Sequence, residues 1–181
     1  EFAETVLKKH VLNVDIDSHS SINNQILKSA AQQGLLSDIL PAPFGSSTYL
    51  RILRPLQLLQ SIKVEELCSV CGGLGLLIGA NALGTAPLIL SGSLRTIRQF
   101  VLPAYRENKK GNPYVIGFAI TEPGAGSDAE DGEGASHYRP MTTAKKANKG
   151  WLLNGRKVFI SDGDIARGVT VFAALENEGM E

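Results

Sequence analysis

The sequence predicts an α+β fold in which an N-terminal all-α helical domain precedes a truncated, antiparallel β-barrel-like domain. Apolar residues recur at helical spacing as far as about residue 111, whereas short β-rich runs follow from residue 112 onward. These runs succeed one another without intervening helical patterns, which is typical of segregated α and β regions. We therefore divide the chain into a helical domain, residues 1–111, and an incomplete β domain, residues 112–181.

The composition is that of an ordinary globular protein. Hydrophobic residues make up 43% and charged residues 20% of the chain, and 18 Lys and Arg balance 18 Asp and Glu. Without a net positive charge there is no basic field to attract nucleic acid, which is therefore not an expected partner. Two cysteines cannot form a disulfide framework, and the first residues lack a secretory signal. We expect a cytoplasmic protein, or a mitochondrial matrix protein if the source is eukaryotic.

Two helices are predicted before residue 35. Apolar residues at helical steps predict the first over residues 2–14. Ser20 and Ser21 suit the N-cap of the second, and Gly34 suits its C-terminal cap. The apolar stripe of this second helix consists of Ile22, Ile26, Leu27, Ala30 and Ala31. Prolines, a glycine and small polar residues then predict a loop over residues 41–48.

The next helices are more apolar. Pro55 fits the first turn of a helix that runs to about Cys71, Gly72 and Gly73 break it, and another helix follows to about Ala82. Residues 67–94 carry no charge and are long enough to span a bilayer.

Several glycines and polar residues interrupt that uncharged stretch, so we interpret it as a helix buried in a helical assembly rather than a membrane span. Ser93 caps a further helix that ends at or soon after Pro103. Residues 107–111 form a charged connector.

The second half of the chain reads as strands. The β-rich runs cover residues 114–121, 141–147, 151–161 and 169–175. Asn154-Gly155 between apolar flanks predicts a two-residue hairpin turn. Residues 129–140 are rich in glycine, acids and polar residues and predict a surface loop.

Most of the residues that could bind a metal or a nucleotide have simpler structural explanations. Cys68 and Cys71 form a C-x-x-C without a second ligand pair, and we interpret them as small buried hydrophobes. The histidines lie far apart, so no metal site is predicted. The glycines of residues 72–81 lack the dinucleotide-binding spacing and follow a helix, so close helix packing explains them better.

The run GFAITEPGAGSD, residues 117–128, is different. A strand ends at Thr121, and Pro123 keeps the preceding residue out of the helical region. The loop from Gly124 to Ser127 can turn backbone N–H groups to one side, which suits a phosphate anion. From the residues alone an ordinary Gly/Pro turn fits equally well.

The sequence resembles the acyl-CoA dehydrogenase family. FAITEPGAGSD at 118–128 and LNGRKVFIS at 153–161 match two motifs of the family's middle domain in order and at about the right distance. GSLRTIRQFVLP at 92–103 is similar to a third segment, more loosely. The resemblance is strong over residues 112–175 and weak over 1–91. It implies a helical domain, a middle β domain and a C-terminal four-helix domain that is absent from this sequence, with FAD bound between the last two.

The resemblance also implies an activity, the dehydrogenation of an acyl-CoA thioester to the trans-2-enoyl-CoA, and a set of FAD-binding positions. These are Phe118, Ala119, Ile120, Thr121, Gly126, Ser127, Phe159, Ile160 and Ser161. The Thr121 region would bond the flavin O2/N1 edge, Ser161 would bond N5 and Phe159 would cover a flavin edge. Gly126 and Ser127 would contact the pyrophosphate, with Ser127 also close to the acyl-CoA.

Each of these positions has a plainer alternative. Thr121 would also suit a strand end, Ser127 a turn, Phe159 a hairpin core and Ser161 a strand cap. Glu122 is assigned a structural role, because the family's catalytic base comes from the C-terminal domain; the catalytic residue is therefore unknown here. Arg156 and Lys157 are expected to face solvent.

The sequence departs from the family at several points. Phe159 stands where Trp is usual, and Ser161 stands where Thr is usual. The loop after Asp128 is longer than usual, and the sequence ends within the β domain. We expect these 181 residues alone to be inactive.

The family likeness further implies an electron-transfer flavoprotein or similar acceptor and a homo-oligomer, usually a tetramer. Three functions stay open: an acyl-CoA dehydrogenase, an acyl-CoA oxidase or flavin-dependent monooxygenase of the same fold, and a non-catalytic scaffold. Monooxygenases usually degrade the TEP-x-AGSD run, which is intact here.

Overall fold

The computed structural model describes residues 1–17, 21–40, 42–47, 56–126 and 139–176. In the helical half, the described residues form π-helical turns at Ala3–Leu7 and Ile97–Val101 and six α-helices. The α-helices are α1 (Val11–Ile16), α2 (Ile22–Gln32), α3 (Leu56–Cys68), α4 (Gly72–Leu90), α5 (Leu94–Thr96) and α6 (Leu102–Lys109). The strands are β1 (Ile116–Ala119), β2 (Thr143–Ala147), β3 (Gly150–Asn154), β4 (Gly168–Val171) and β5 (Ala174–Leu175). The mixed α+β class with a helical N-terminal part is confirmed.

The apolar core lies among the helices and reaches the start of β1. Its fully buried members include Leu7, Ile26 and Leu36, with Ile78 from α4 and Val115 just before β1. Buried aliphatic side chains of this kind each contribute roughly 1.5–3 kcal/mol relative to exposure. The core therefore fixes the position at which the β half leaves the helices.

The caps of α2 and α5 show how far local sequence signals hold. The predicted stripe of α2 is buried except for Ile22, which is half-buried. Gly34 follows the helix with φ +76°, a left-handed conformation that suits glycine. Ser21 directly precedes α2, but its side chain makes no capping hydrogen bond, and Ser20 lies outside the described residues. Ser93 does cap α5, because its Oγ accepts from Thr96 N at 3.2 Å.

Helix α4 is longer than the sequence predicts. It begins at Gly72 and continues past Ala82 to Leu90, with Pro87 inside it, so the predicted end is wrong. Pro87 removes one backbone donor near the end of the helix, and that loss is tolerated because the preceding turns are held by packing. The predicted break is also misplaced, because α3 ends at Cys68 and Gly72 and Gly73 are the first residues of α4, with Cys71 as its N-cap. Pro55 lies outside the described residues.

By length and composition alone, α4 is apolar enough to cross a membrane. Its most apolar window has a mean hydropathy of 1.7, and 39% of that window is buried inside the protein. Core helices of soluble proteins share these properties. Two buried polar residues on α4 are hydrogen-bonded within the protein: Asn81 reaches two backbone groups, and the Thr85 hydroxyl donates to Asn81 O at 2.7 Å.

Asn81 connects the helical half to the β half. Its Nδ2 donates to Leu36 O at 2.8 Å, and its Oδ1 accepts from Ile116 N at 2.9 Å. Gly84, one turn later, packs so closely on β1 that a Cβ atom would overlap the carbonyl of Ile116. From β4, the Thr170 hydroxyl donates to Gly84 O at 2.7 Å. Helix α4 is thus the support on which the first strand pair rests.

The last helical segment also exceeds its predicted length. Pro103 does not end it, because Pro103 lies in the first turn of α6, where a missing N–H costs little. The helix continues to Lys109, so much of the predicted charged connector at 107–111 is helical. Lys110 and Glu107 form an exposed ion pair at this end, at 2.7 Å.

The strands form two small sheets rather than the expected antiparallel barrel. β1 pairs with β4 in parallel, and the other sheet has the order β3-β2-β5. Within that sheet β2–β3 is antiparallel, whereas β2–β5 is parallel. The antiparallel expectation is therefore wrong for two pairings, and neither sheet closes on itself within the described residues. Only β2 and β3 pair as neighbours in the sequence, whereas β1–β4 and β2–β5 join strands that are distant in the chain and lie parallel.

The β-hairpin forms earlier in the chain than the sequence predicts, between β2 and β3. Its turn is formed by residues 148–149, between Ala147 and Gly150, and not by Asn154-Gly155. Gly155, with φ +151°, instead lies at the end of β3, where a Cβ atom would come within 2.5 Å of Thr142 Cα. The glycine is needed there for close backbone approach, a requirement that resembles a turn signal in the sequence.

Candidate functional site

The two motif segments lie against each other after β1. The backbone N–H of Val158 donates to Thr121 O at 3.0 Å, and Lys157 Nζ donates to Ile120 O at 2.9 Å. A Cβ atom added to Gly117 would lie 3.6 Å from Ser161 O. Residues 118–126 and 157–161, which are distant in sequence, therefore share one region of the surface.

The TEPGAG turn is tight and self-contained. Glu122 N donates to Ala125 O at 2.7 Å, and Ala125 N donates to Glu122 O at 3.3 Å. The position of a Cβ atom on Gly126 would be 3.4 Å from Thr121 Cγ2 and 3.5 Å from Thr121 Oγ1. These are ordinary van der Waals distances, and they place Gly126 directly beside the Thr121 side chain. Ser127, the remaining predicted residue of the turn, lies outside the described residues.

The second segment has an unusual backbone. Phe159 has φ +56° and Asp162 has φ +59°, so two residues other than glycine adopt the left-handed conformation on either side of Ile160 and Ser161. Such residues cost roughly 1–3 kcal/mol each, and they cluster at functional sites. No sequence pattern used above signals this strain, although the Asp-Gly pair at 162–163 is a turn signal.

The predicted site residues that the structure describes differ in burial. Ala119 is buried, whereas Phe118, Ile120, Thr121, Gly126, Ile160 and Ser161 are half-buried. Phe159 is 92% exposed, which is extreme for a large aromatic side chain. Within the part of the chain that the structure describes, neither the Thr121 nor the Ser161 hydroxyl takes part in a hydrogen bond. Both hydroxyls are available to a ligand.

Glu122 is the anchor beneath this surface. It is 3% exposed, and its carboxylate accepts from Met141 N and Thr142 N at 2.7 Å each and from Lys157 Nζ at 2.9 Å. Burial by itself raises the pKa of the Glu122 carboxyl, but the hydrogen bonds from Lys157, Thr142 and Met141 outweigh it and lower the pKa to about 2. Glu122 is therefore a charged structural residue.

Lys157 is not the solvent-facing residue that the sequence predicts. Its side chain is nearly as buried as that of Glu122, because the Glu122 carboxylate and the Ile120 carbonyl together satisfy its ammonium group. The partner lies far away in sequence, and nothing in the local pattern points to it. Arg156, in contrast, is exposed as predicted. The Glu122–Lys157 pair fixes the motif turn to the segment that carries Phe159 and Ser161.

Asp162 is the titratable group next to Ser161. Burial, and secondarily the charge of Asp164, raise the pKa of the Asp162 carboxyl to about 7. Its Oδ2 is buried and has no hydrogen-bond partner among the described residues. A carboxyl in this position exchanges its proton near neutral pH, directly beside the predicted flavin-facing hydroxyl.

The geometry fits a flat, polar-edged cofactor. The region offers an exposed aromatic ring and two hydroxyls that make no hydrogen bond to any residue the structure describes. Fixed donors of this kind stabilise negative charge that appears on a bound group, and each bond to a charged acceptor contributes about 1.5–3 kcal/mol. Rigid placement by the Glu122–Lys157 pair reduces the reorganisation that binding requires.

Other candidate chemistry is not assembled. Cys68 and Cys71 are free, partly buried thiols at the junction of α3 and α4. Searching the described residues finds no group of three or more His, Cys, Asp or Glu side chains that would hold a metal ion. His10 precedes α1, and His19 and His137 lie outside the described residues.

Comparison with known proteins gives two family matches that together cover most of the chain. The N-terminal domain of acyl-CoA dehydrogenases matches residues 1–108, and the middle domain of acyl-CoA dehydrogenases matches residues 117–181. The second match includes both motif segments of the candidate site. The first extends over the helices, where the resemblance in the sequence was weak.

Individual relatives agree with these matches. Cyclohex-1-ene-1-carbonyl-CoA dehydrogenase of Syntrophus aciditrophicus is 32% identical over 88% of this chain and 34% of its own length. The caffeyl-CoA reductase-Etf complex subunit CarC of Acetobacterium woodii is 30% identical over 97% of this chain and 41% of its own length. The chain thus spans about two fifths or less of these relatives.

The fold has counterparts among solved structures. An acyl-CoA dehydrogenase from Bacillus anthracis, crystallised in complex with FAD, superposes with a TM-score of 0.72 over 98% of this chain and 27% of that one, at 23% identity. At this identity the likeness concerns the fold.

Proposed function

Because this chain belongs to the acyl-CoA dehydrogenase family, we propose that it supplies the N-terminal and middle parts of an enzyme that uses FAD to convert an acyl-CoA thioester to the trans-2-enoyl-CoA. The observation that carries the proposal is the contact between Val158 and Thr121, which brings the two motif segments together. Either motif on the opposite side of the β half would have removed the basis for a shared cofactor site.

The predicted residues would divide the work of holding FAD. Phe118, Ala119, Ile120 and Thr121 would line the ring, with the Thr121 hydroxyl donating to its O2/N1 edge. Ser161 would donate to N5, Ile160 would hold Ser161 in place, and Phe159 would cover an exposed edge of the ring. Gly126 and Ser127 would contact the pyrophosphate, and Ser127 would also approach the acyl-CoA. FAD, when bound, supplies the acceptor for the hydride that leaves the substrate.

What this chain adds to the chemistry is placement of donors. Reduction increases negative charge at the O2/N1 edge of a flavin, so a fixed Thr121 donor stabilises the reduced state more than the oxidised state. Glu122 does not serve as a base in this scheme, since a carboxylate held by Lys157 and two backbone N–H groups has a pKa near 2 and is a poor proton acceptor. We infer that the base comes from sequence outside these residues.

The reverse reaction, reduction of an enoyl-CoA, is a second candidate function. The CarC relative is named as a subunit of a caffeyl-CoA reductase-Etf complex, and that name favours a reduction rather than a dehydrogenation for that protein. By this analogy we propose an electron-transfer flavoprotein as the partner of this chain in either direction. An acyl-CoA oxidase or a flavin-dependent monooxygenase of the same fold, either of which would react with oxygen, is the other enzymatic alternative.

Three further expectations belong to the same proposal. The enzyme would act as a homo-oligomer, in the cytoplasm or in a mitochondrial matrix. The two small sheets would be parts of a barrel-like β domain. The exposed apolar residues of β3, which are Trp151, Leu152 and Leu153, support the last of these, since open sheet surfaces of this kind call for a cover.

The test is FAD binding and anaerobic reduction in the purified full-length protein, which includes the sequence that supplies the base. We expect added FAD to bind, acyl-CoA to bleach it without oxygen, and Thr121→Val with Ser161→Ala to slow reduction by up to about 10²–10³-fold while weakening acyl-CoA binding much less. Ser69→Ala, on the exposed end of α3, is the matched hydroxyl deletion that should change neither.

Different failures of this experiment have different meanings. A protein that holds no flavin and gains none from added FAD would be the scaffold alternative, and the proposal would be wrong. Rapid reoxidation by oxygen after bleaching would identify an oxidase. Unchanged reduction in the double variant would refute the roles of the two hydroxyls while leaving FAD binding in place.

A further inference from the structure

A cavity of about 500 Å³ lies where the helical half meets the β half, apart from the proposed flavin-facing residues. Three segments build it: the first turns of α2, the turn that leads into β1, and the loop that leads into β4. Their lining residues are Ser21, Asn23, Asn24, Leu27, Lys28, Asn112, Pro113, Val115, Asp164, Ile165 and Arg167. The volume is within the range of small-molecule sites, about 300–1,000 Å³.

The lining combines an apolar floor with a polar wall. Leu27 and Val115 are buried, at 4% and 2% exposure, and form the floor. Amide side chains of Asn23, Asn24 and Asn112 stand in the wall. An apolar base with a few convergent polar groups is typical of a binding site rather than of a packing gap, which would be apolar throughout.

Two cations from distant parts of the chain face this cavity. Lys28 is exposed on α2, and within the described part of the chain its ammonium makes neither an ion pair nor a hydrogen bond. Arg167 is held by its backbone, since its N–H donates to Val115 O at 3.0 Å, and by its guanidinium, which lies over the Tyr114 ring at 5.6 Å. Stacking leaves the guanidinium edge available to an anion.

Glu107 fixes the orientation of Asn112, one of the asparagines in the cavity wall. Asn112 Nδ2 donates to Glu107 Oε2 at 3.1 Å, and Asn112 N donates to Glu107 O at 3.0 Å. That orientation leaves the amide oxygen of Asn112 as an acceptor for a hydroxyl or amine. Asp164 adds a carboxylate to the same lining, so the charged groups of the cavity are two cations and one anion.

From this arrangement we propose that the cavity binds a small polar anion, with one phosphoryl or carboxylate group between Lys28 and Arg167 and its hydroxyl or amine groups on Asp164 and the asparagines. The lining residues carry a net charge of +1, and the neighbouring Glu107 carboxylate is paired with Lys110 at 2.7 Å. Arg167 supplies a planar fork suited to two anionic oxygens, and Lys28 supplies a mobile point charge. The inference stands apart from the FAD proposal, because none of these residues belongs to the flavin-facing set.

The experiment titrates the purified protein with inorganic phosphate and, separately, with succinate at low ionic strength, by calorimetry and by backbone NMR. We expect saturable binding of at least one probe, with chemical shifts concentrated in residues 21–28 and 164–167. Which probe binds more tightly distinguishes a phosphoryl from a carboxylate ligand. Lys28→Gln and Arg167→Gln should each raise Kd by about tenfold or more, the loss of one charge-assisted bond.

Lys146→Gln is the matched control, because Lys146 is exposed on β2 and is not part of the lining. Its Kd should equal that of the unchanged protein. Circular dichroism checks that Arg167→Gln still folds; if it does not, Lys28→Gln carries the test alone, since its side chain projects from the helix surface. No saturable binding of either probe, or a Kd unaffected by Lys28→Gln, or an equal effect of Lys146→Gln, would overturn the proposal. Each of these results leaves FAD binding untouched.

Discussion

The Lys157 ammonium lies 2.9 Å from the Glu122 carboxylate, and both side chains are at least nine-tenths removed from solvent. This pair joins the turn after β1 to the segment that leads toward Ser161. It is a different kind of contact from the Lys145–Glu176 pair, at 3.1 Å, whose side chains remain largely in water. The contrast between the two pairs gives a direct test of what holds the candidate site together.

Lys157→Met should destabilise the protein by about 3–5 kcal/mol, because it leaves the Glu122 charge buried without its cation. Lys145→Met, the matched change at the exposed pair, should cost about 0–1 kcal/mol. Urea unfolding followed by circular dichroism measures both. Equal losses of unfolding free energy in the two variants would show that the buried Glu122–Lys157 pair stabilises the protein no more than the exposed pair does.

Acid should weaken the fold through Glu122. Its pKa falls from an ordinary 4.5 to about 2 in the folded protein, so the unfolded chain binds more protons between these values. The free energy of unfolding contributed by this carboxylate is therefore complete above about pH 4.5 and is lost as the pH falls toward 2. Glu122→Gln should show a shallower fall over that window, and an identical fall in both proteins would contradict the assignment.

Asp162 should act in the opposite direction. Its pKa rises from 3.8 to about 7, so the folded protein binds the extra proton and the free energy of unfolding decreases as the pH rises through this window. Asp162→Asn should remove that decrease, and Asn tolerates the left-handed backbone at φ +59°. The measurement is urea unfolding at about pH 5 and about pH 8.

Asp15→Asn, on the exposed helix α1, is the control for that experiment. It should leave the difference between the two pH values as it is in the unchanged protein. If Asp162→Asn behaves like this control, the carboxyl of Asp162 does not titrate in the way its surroundings indicate.

Substituting alanine for two glycines of α4 should change the free energy of unfolding in opposite directions. At Gly84 a Cβ atom would overlap the Ile116 carbonyl, so Gly84→Ala must push β1 away from the helix and should cost about 1–3 kcal/mol. At Gly79 the nearest atom would be Val64 Cγ2 at 3.9 Å, and Gly79→Ala should stabilise the helix by about 0.5–1 kcal/mol. Thermal unfolding ranks the two variants, and a stabilising Gly84→Ala would contradict the close approach of α4 to β1.

Local signals in the sequence predicted what local physics determines. The apolar stripe of α2, its end at Gly34 and the Ser93 cap all depend on residues within a few positions, and they hold. Glu122 was assigned a structural role from the family resemblance, and its carboxylate is indeed buried and held by Lys157 and two backbone N–H groups. The two motif segments were expected to meet, and the Val158–Thr121 bond joins them.

What failed depends on partners that are distant in sequence. Lys157 looks like a surface residue until Glu122 is beside it, and Asn154-Gly155 looks like a turn until Thr142 approaches Gly155. The predicted strand pairings were wrong for the same reason, because β1 pairs with β4 and β2 pairs with β5 across long stretches of sequence. The left-handed Phe159 and Asp162 had no signal, because strain of this kind is set by the surrounding structure.

The chain contains one tryptophan, Trp151, and it stands on β3 with 58% of its surface in water. Its emission is consequently a readout of a single place, the outer strand of the β3-β2-β5 sheet. Indole fluorescence shifts to shorter wavelength when water is excluded from the ring. Binding of a subunit or a neighbouring segment over this strand would therefore be detected as a blue shift of the Trp151 fluorescence, without an added label.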